Sequence, residues 1–395
     1  MPSMTAFTPS ITADGTNVTY VPDGKAVIEQ LPLVADFSFT IVADGGYEDA
    51  NISFAENQVD IESWIEYGLG RHIQIHDDDL VLIWEGFVNQ VSVSLGPLSI
   101  SRGPLNAIAN RVTAKYAMSE IVGNEIVATA DLSTTTTDDE YSKLKYGIFE
   151  KIIDVGSVWD ATEAAKYMNM HIAAYSLPET AKQFSNQGQG LGLSIQCLGY
   201  YHFFKNYIYD EIAVGVDNIS VEITNATDNG KMQLAIAADP NGLFTVANSD
   251  LYTNGITVPQ WDDQDSDAWT VIQTLVIAGD DTADYGRTIF GVYAGRKIIY
   301  AQVPTEFEYR QALSDPGQKV TTMEGGEVKP WNVLPGKWLL FTDFLTDKIT
   351  PSNLRKDQRA MFIERVVYSS PYGLQLDGGK MYSVKQALAA KGLGM

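Results

Sequence analysis

The feature that most constrains the fold is the stretch RHIQIHDDDLVLIWEG, residues 71–86. Apolar Ile73 and Ile75 alternate with polar residues, and this period of two is typical of a β-strand. The apolar run that follows predicts a returning strand. Aspartates favour the turn between the two strands, because their carboxylates accept nearby backbone N–H groups. We therefore predict a β-hairpin whose tip is formed by Asp77, Asp78 and Asp79.

Two other interpretations of this stretch are a metal site and a cluster of catalytic carboxylates. His72 and His76 lie four residues apart, a spacing that suits zinc when the segment is helical. The alternation here predicts a strand, so the hairpin is favoured. Its charges need solvation, and we expect the tip to face water, a channel or an interface.

The composition fits a folded protein of several domains. The chain has 395 residues, of which 45% are hydrophobic and 19% charged, which favours a substantial core over disorder. The net charge of −23 argues against binding nucleic acid through phosphate contacts. It is compatible with DNA that passes the protein without binding, since an acidic wall repels phosphate.

The charge is unevenly distributed along the chain. From Lys337 onward there are nine Lys and Arg against five Asp and Glu, which makes this tail +4 and the remainder −27. A cationic tail on an acidic body predicts docking to an acidic neighbour, which could be another copy. A solvated tail without a partner is the alternative.

The single cysteine, Cys197, excludes an internal disulfide framework, and its apolar neighbours predict a buried side chain. No stretch approaches the roughly 20 apolar residues that a membrane span needs. The first residues lack the basic and apolar segments of a secretory signal. We expect synthesis in a cytoplasm and no membrane insertion.

Alternating patterns predict strands along most of the chain. They include residues 36–42, 191–210, and a pair of strands within 287–310 that turn at Ala294–Gly295. Three short strands are predicted at ISVEITN, KMQLAIAAD and GLFTVAN, and a surface loop is predicted at 129–142.

Helices are fewer. Residues 58–70 have helical spacing ended by glycine, and Asp160 with Glu163 forms a capping box before a longer helix. A short helix is predicted at 383–392 near the chain end. The acidic loop with Asp263, Asp265 and Asp267 departs from a calcium loop, because Ala268 and Thr274 stand where glycine and glutamate are required, so it predicts a helix start instead.

The motifs of common enzyme classes are absent from the sequence. There is no G-x-S-x-G elbow, no phosphate-binding P-loop and no G-x-G-x-x-G fingerprint. The remaining histidines, His171 and His202, are isolated: a satisfied or solvated side chain is the favoured interpretation of His171, and His202 lies among aromatic residues with no second nucleophile or base nearby. A glycosidase pair among the 50 carboxylates stays open, because nothing selects two of them. We expect no enzyme activity, no cofactor and no metal.

Several segments together resemble the tail hub proteins of tailed bacteriophages. They are IEYGLGRHIQIHDDDLVLIWEGFVNQV, LNAIANRVTAKY, YGIFEKIIDVG with the capped helix after it, and LGYYHFFKNYIY. FGVYAGRKIIYAQVP and VKPWNVLPGKW are similar to segments of siphophage minor tail proteins. The resemblance spans residues 60 to 350 and consists of the order and style of its motifs.

The resemblance implies a mainly β (α+β) fold with two tail-tube-like antiparallel β-barrels and a helix-containing insertion. Its implied segments are 1–118 for the first barrel, 119–190 for the insertion, 191–345 for the second barrel with extra strands, and 346–395 for a C-terminal extension that docks on a neighbour.

The resemblance also implies a role. The chain would be a structural virion protein at the tail hub or baseplate, forming a homotrimer around a central channel. Its partners would be the tail tube or distal tail protein, the tail-tip protein and its own copies, while DNA passes without specific binding. Two other functions stay open: a carbohydrate-binding or depolymerase-type tail protein, and a host-binding adhesin at the tail tip.

Overall fold

The computed structural model describes residues 2–24, 27–32, 37–55, 59–123, 125–185, 190–209, 228–253, 266–278, 288–304, 306–312, 319–342, 360–370 and 373–379.

Strands dominate this part of the chain. In chain order they are β1 (Ser3–Phe7), β2 (Ser10–Asp14), β3 (Asn17–Val21), β4 (Val27–Pro32), β5 (Phe37–Val42), β6 (Gly45–Ala55), β7 (His72–His76), β8 (Leu82–Leu95), β9 (Leu98–Arg102), β10 (Arg111–Val122), β11 (Glu125–Ser133), β12 (Thr137–Asp138), β13 (Glu150–Val158), β14 (Thr180–Phe184), β15 (Gly192–Leu198), β16 (Ser249–Leu251), β17 (Thr288–Tyr293), β18 (Lys297–Gln302), β19 (Tyr309–Ala312), β20 (Thr321–Thr322), β21 (Trp338–Thr342), β22 (Ala360–Ser369) and β23 (Gly373–Gly378).

The α-helices are α1 (Ile61–Tyr67), α2 (Glu140–Tyr146), α3 (Ala161–Tyr175), α4 (Asp228–Ala237) and α5 (Ala268–Ala278). Short 3-10 helices cover Leu105–Ala107, Tyr200–Asn206, Val246–Asn248, Ala294–Arg296 and Pro330–Asn332. Among the described helices, none is both long and apolar enough to cross a membrane.

The main sheet is an antiparallel path of strands in the order β4–β1–β7–β8–β15–β6–β5–β22–β23. It curls into a half-barrel. Further strands extend it: β17 runs parallel to β6 and leads to β18 and β16, while β21 pairs with β22 and leads to β19 and β20. The predicted β-rich fold is confirmed.

Two complete barrels are not seen among the described residues. The reason lies in the strand pairing. β15, predicted to open a second barrel, lies between β6 and β8, and β22 from the predicted extension pairs with β5. Strands from distant parts of the chain therefore share one sheet. The boundaries of the four segments stay a prediction.

A smaller sheet is inserted between two neighbouring strands of the main one. β9 and β14 pair directly, with Arg102 opposite Thr180. Between them, β10 pairs with β11 and β12 on one side and runs parallel to β13 on the other. Helix α3 covers one face of this small sheet through Met168 and Ala164.

Local sequence explains the helices that position these elements. The Asp160 carboxylate accepts the backbone N–H of Glu163 at 2.8 Å, and the Glu163 carboxylate accepts that of Trp159 at 3.0 Å, so the predicted capping box of α3 is confirmed. The Asp60 carboxylate caps α1 by accepting the backbone N–H of Ser63, and Gly68 ends that helix. Asp267 accepts the N–H of Thr270 at 2.7 Å at the start of α5.

The inserted unit comprises residues 103–179, between β9 and β14. An aromatic cluster joins the main sheet to this unit. Phe203, in a 3-10 helix, is fully buried and packs edge-on against Phe87 of β8 at 4.9 Å between ring centroids. It also meets Phe149 beside β13 at 5.5 Å and Tyr20 of β3 at 5.8 Å. Ring pairs at these spacings add stabilisation beyond the area they bury.

Some predicted elements are wrong. KMQLAIA, the first seven residues of KMQLAIAAD, belongs to helix α4, because buried Met232, Ala235 and Ile236 lie three and four residues apart, which is helical spacing. GLFTVAN contains a 3-10 helix and no strand among its described residues. The predicted loop at 129–142 instead contributes to β11, β12 and α2.

One predicted strand is partly right, and two observed strands had no prediction. Residues 191–210 are a strand only as far as Leu198, after which five buried aromatic and histidine side chains lie on the 3-10 helix. Strands β22 and β23 were not predicted. ISVEITN, Asp263, Asp265 and the helix at 383–392 lie outside the described residues.

Candidate functional site

The predicted hairpin is confirmed, and the acidic tip, meaning Asp77, Asp78 and Asp79, lies at its reversal between β7 and β8. Asp77 is only 2% exposed, and one of its carboxylate oxygens accepts the backbone N–H groups of Asp79 and Val81, both at 2.9 Å. Asp77 therefore shapes the turn, while Asp78 and Asp79 are exposed. The expectation that all three charges are solvated is wrong for Asp77.

A lysine from a distant part of the chain contacts the whole acidic tip. The Lys329 ammonium donates to Asp77 at 3.3 Å, to Asp78 at 2.7 Å and to Asp79. The indole N–H of Trp331 also donates to Asp77, at 3.3 Å. Sequence reasoning missed these partners, because they are separated from the tip by about 250 residues of chain.

The electrostatics of the acidic tip follow from these contacts. Burial raises the pKa of Asp77, but hydrogen bonds from Val81, Asp79, Lys329 and Trp331 outweigh it and hold the pKa below its usual value. The hydrogen bond from Lys329 likewise lowers the pKa of Asp78. The carboxylates of Asp77 and Asp78 are therefore charged at neutral pH, and the Lys329 ammonium lies beside them.

The acidic tip is thus an anchor for the segment that carries Lys329. Trp331 packs perpendicular to Tyr368 of β22 at 5.5 Å, and Tyr368 packs in turn on Phe39 of β5 at 5.4 Å. The three carboxylates lie close enough together to hold a metal ion, but the ammonium already lies among them. Whether the tip faces a channel or an interface stays a prediction.

A second polar group is buried inside the main sheet. His72 Nδ1 lies 2.8 Å from the Tyr200 hydroxyl and 3.2 Å from the Gly86 carbonyl oxygen. Its Nε2 lies 3.9 Å from the carboxylate of Glu85, which accepts the backbone N–H of Arg296 at 2.8 Å. Because these groups are enclosed by the sheet, they hold strands together and cannot reach a substrate.

This buried histidine predicts a pH dependence of stability. Burial, followed by the charge of Arg296, lowers the pKa of His72 from 6.5 to about 4. Between these values the unfolded chain binds a proton that the folded chain does not, so acid favours unfolding. We expect this residue to reduce the free energy of unfolding by about 3 kcal/mol as the pH falls from 6.5 to 4.

The measurement is urea unfolding across this pH range for the wild type and for His72→Gln. The variant should show a flatter dependence on pH, because the titrating group has been removed. Equal slopes for the two proteins would show that His72 is not held neutral by burial.

A cleft lies between the open face of the small sheet and the main body. It comprises two adjoining cavities of ≈ 530 and ≈ 610 Å³ that share Lys115, Glu150 and Ile152. Lys205, whose pKa is lowered by burial, and Asp267 lie at one end.

The cleft does not offer a free catalytic carboxylate at its centre. One oxygen of Glu150 accepts from the Arg111 guanidinium at 3.1 Å, and the other accepts the N–H of Ile208 at 2.9 Å. Burial raises the pKa of Glu150, although these donors act against it. Among the described residues that line the cleft, the aromatic side chain is Tyr116. It is buried, so its ring is not accessible for stacking against a sugar.

Two exposed apolar surfaces lie on the inserted unit. The first is the arm, the end of the β10–β11 hairpin formed by residues 119–122 and 125–128. Ile121 is 69% exposed, Val122 61% and Val127 46%. The second is the outer face of α3, formed by Lys166, Tyr167, Met170 and Ala174, all of which are exposed. Exposed apolar patches of this kind mark protein interfaces.

The sequence contained a signal for the arm. EIVGNEIV repeats a β-branched pair on both sides of Gly-Asn, which is a hairpin pattern. The outer face of α3 was visible as apolar residues at helical spacing on the side opposite Ala164 and Met168.

The other singled-out residues have structural surroundings. Cys197 is fully buried, as predicted, and burial raises the pKa of its thiol. His202 is buried, and burial together with the charge of Lys205 lowers its pKa to about 3. His171 stacks on Tyr175 within α3 at 4.6 Å. Cys197 and His171 have the surroundings expected from the sequence, whereas His202, beside which no base was expected, has the Lys205 ammonium 3.4 Å from its Nδ1.

Comparisons with known proteins do not assign a family or a function to the chain. No family model matches the chain, and no curated protein matches it. Among solved structures, the chain is similar to the crystal structure of prophage MuSo2, 43 kDa tail protein from Shewanella oneidensis, with 7% identity, 95% of each chain covered and a TM-score of 0.42. Similarity at this level carries no weight for the function.

Proposed function

We propose that this chain is a structural protein of a bacteriophage tail, located at the hub or baseplate between the tail tube and the tail tip. In this role it forms a homotrimer around a central channel and is part of the virion. It acts by binding its neighbours, without catalysis and without a cofactor.

The observation that carries the proposal is the pair of exposed apolar surfaces on the inserted unit. A chain with a net charge of −23 has no difficulty staying in solution, yet it exposes Ile121, Val122 and Met170. Exposed apolar side chains of this size are stabilised when a partner covers them. This supports an assembly protein, and the resemblance of the sequence motifs to tail hubs supports the kind of assembly.

The acidic composition supports the channel. Double-stranded DNA is drawn to basic surfaces through its phosphates, and an acidic wall repels it. The exposed carboxylates of Asp78 and Asp79 are suited to a channel wall or to an interface with a basic partner. The partners in this proposal are the tail tube or distal tail protein, the tail-tip protein and other copies of the chain.

The aromatic residues argue against the carbohydrate-binding alternative. Sugar-binding proteins present aromatic rings in polar, accessible sites, whereas among the described tryptophans Trp64, Trp84, Trp269 and Trp338 are buried and only Trp159 is mostly exposed. A host-binding adhesin would use exposed surfaces of the same kind as a hub. Direct binding of the purified protein to host cells would favour the adhesin.

The first test is the mass of the protein in solution. A trimer of 43.3 kDa chains has a mass of about 130 kDa. We expect light scattering or native mass spectrometry over a range of concentrations to reveal this species, and electron micrographs to show a ring with a central hole. A protein that stays monomeric at every concentration, and does not cosediment with tail tubes, would contradict the hub.

A further inference from the structure

We propose that the arm of one subunit packs on the outer face of α3 in a second copy of this chain. This deepens the proposed function, on which it rests, by naming the contact that builds the ring.

Among the residues that the structure describes, the arm is a two-stranded ribbon on which no further layer packs. β13 accompanies β10 only as far as Met118, which lies opposite Val158, so the residues beyond it pair with β11 alone. An isolated two-stranded ribbon is marginally stable in water, and this one exposes Ile121 and Val122. Both its apolar side chains and its strand edges are suited to a partner.

The outer face of α3 is the matching surface. The helix buries Ala164 and Met168 on the small sheet, but Tyr167, Met170 and Ala174 recur at spacings of three and four on the opposite side. An amphipathic helix would carry polar residues there. Met170 is 67% exposed, and its flexible thioether adapts to a neighbouring surface.

The charges of the two surfaces are complementary. Between Lys115 and Lys143 the sequence contains no Lys or Arg, and the arm carries Glu120 and Glu125. On the outer face of α3 the exposed charged side chain is Lys166, while Glu163, one turn before it, is half-buried and its carboxylate accepts the backbone N–H of Trp159. The contact would therefore bring the glutamates of the arm to an apolar helix face whose exposed charged side chain is Lys166, and this pairing supports a specific contact.

The geometry places the two surfaces on different copies. The arm continues the direction of β10 away from the unit, while α3 returns alongside the sheet until the Tyr175 carbonyl oxygen accepts the N–H of Ala109 at 2.9 Å. The arm therefore points away from its own α3. Two different surfaces that bind each other form a head-to-tail contact, and such contacts form a ring when the rotation between the copies closes.

Cysteine cross-linking tests which residues meet. Cys197, the one native cysteine, is fully buried, so engineered thiols react without background. Val122→Cys and Met170→Cys are made in separate, differently tagged chains, mixed, and treated with a short bismaleimide. We expect covalent dimers in the mixture and none from either variant alone. Dimers from Val122→Cys alone would reveal a symmetric contact and overturn the proposal.

Charge exchange tests the energetics and separates this proposal from the hub itself. Glu120→Lys or Lys166→Glu should raise the concentration needed for half-assembly roughly tenfold, and the double variant should restore it. Exposed Glu62→Lys, in α1, is the matched control and should assemble like the wild type. A wild-type trimer that none of these variants weakens, and that gives no cross-link, overturns the arm contact and leaves the hub standing. A wild type that stays monomeric at every concentration and does not cosediment with tail tubes overturns both.

Discussion

Gly86→Ala is expected to lower the free energy of unfolding by about 3 kcal/mol or more. Gly86 lies inside β8, where β15 crosses closely. A Cβ atom at this position would lie 2.2 Å from the Leu198 carbonyl oxygen and 2.5 Å from the Trp84 ring. The first neighbour is backbone that is fixed by strand pairing, and the second is a fully buried indole, so neither can move without disturbing the main sheet.

The measurement is urea unfolding followed by tryptophan fluorescence. Gly190→Ala is the matched control, because a Cβ atom there meets no atom within 4 Å and the residue is exposed. The control should unfold at nearly the wild-type urea concentration. Equal midpoints for the two variants would mean that the close approach at Gly86 is relieved by small shifts of the strands.

Asn241→Ala is expected to cost about 2–4 kcal/mol, because it leaves two buried backbone groups without partners. The Asn241 side chain accepts the N–H of Ile148 at 2.6 Å and donates to the Ile148 carbonyl oxygen at 3.1 Å, and both residues are fully buried. Asn110 holds the neighbouring groups, donating to the Gly147 carbonyl oxygen and accepting the Phe149 N–H, both at 2.8 Å.

Amide hydrogen exchange gives this prediction a local measurement. The amide of Ile148 should lose protection in the variant by more than amides of the main sheet. Asn169→Ala, on the exposed side of α3, is the control and should leave exchange at Ile148 unchanged. Unchanged protection in Asn241→Ala would show that the Asn110 contacts hold the segment by themselves.

The sequence was most informative where a pattern is local. Asp160 and Glu163 define a helix start through contacts within one turn, and Asp77 reverses the chain by accepting the backbone N–H groups of Asp79 and Val81. These elements were predictable from the sequence, because the interactions that form them join residues a few positions apart.

The rest depends on partners far away in the chain. Lys329 and the acidic tip are separated by about 250 residues of chain. The sequence near Lys329 contains no pattern that indicates its contact with the aspartates, and the sequence near the aspartates contains none that indicates the lysine. β15 was assigned to a second barrel, because its sequence is a good strand and says nothing about the strands it pairs with. The sequence of α4 predicted a strand, because its apolar residues Met232, Leu234 and Ile236 also occupy alternate positions.

The pairing of β9 with β14 has a consequence for the evolution of the chain. Arg102 and Thr180 stand opposite each other, so the inserted unit leaves and re-enters the main sheet at one point. A tight turn could replace the whole unit and still connect these strands. The unit can therefore be gained, lost or exchanged as a module, and the surfaces it carries can diverge to suit new neighbours while the sheet beneath stays the same.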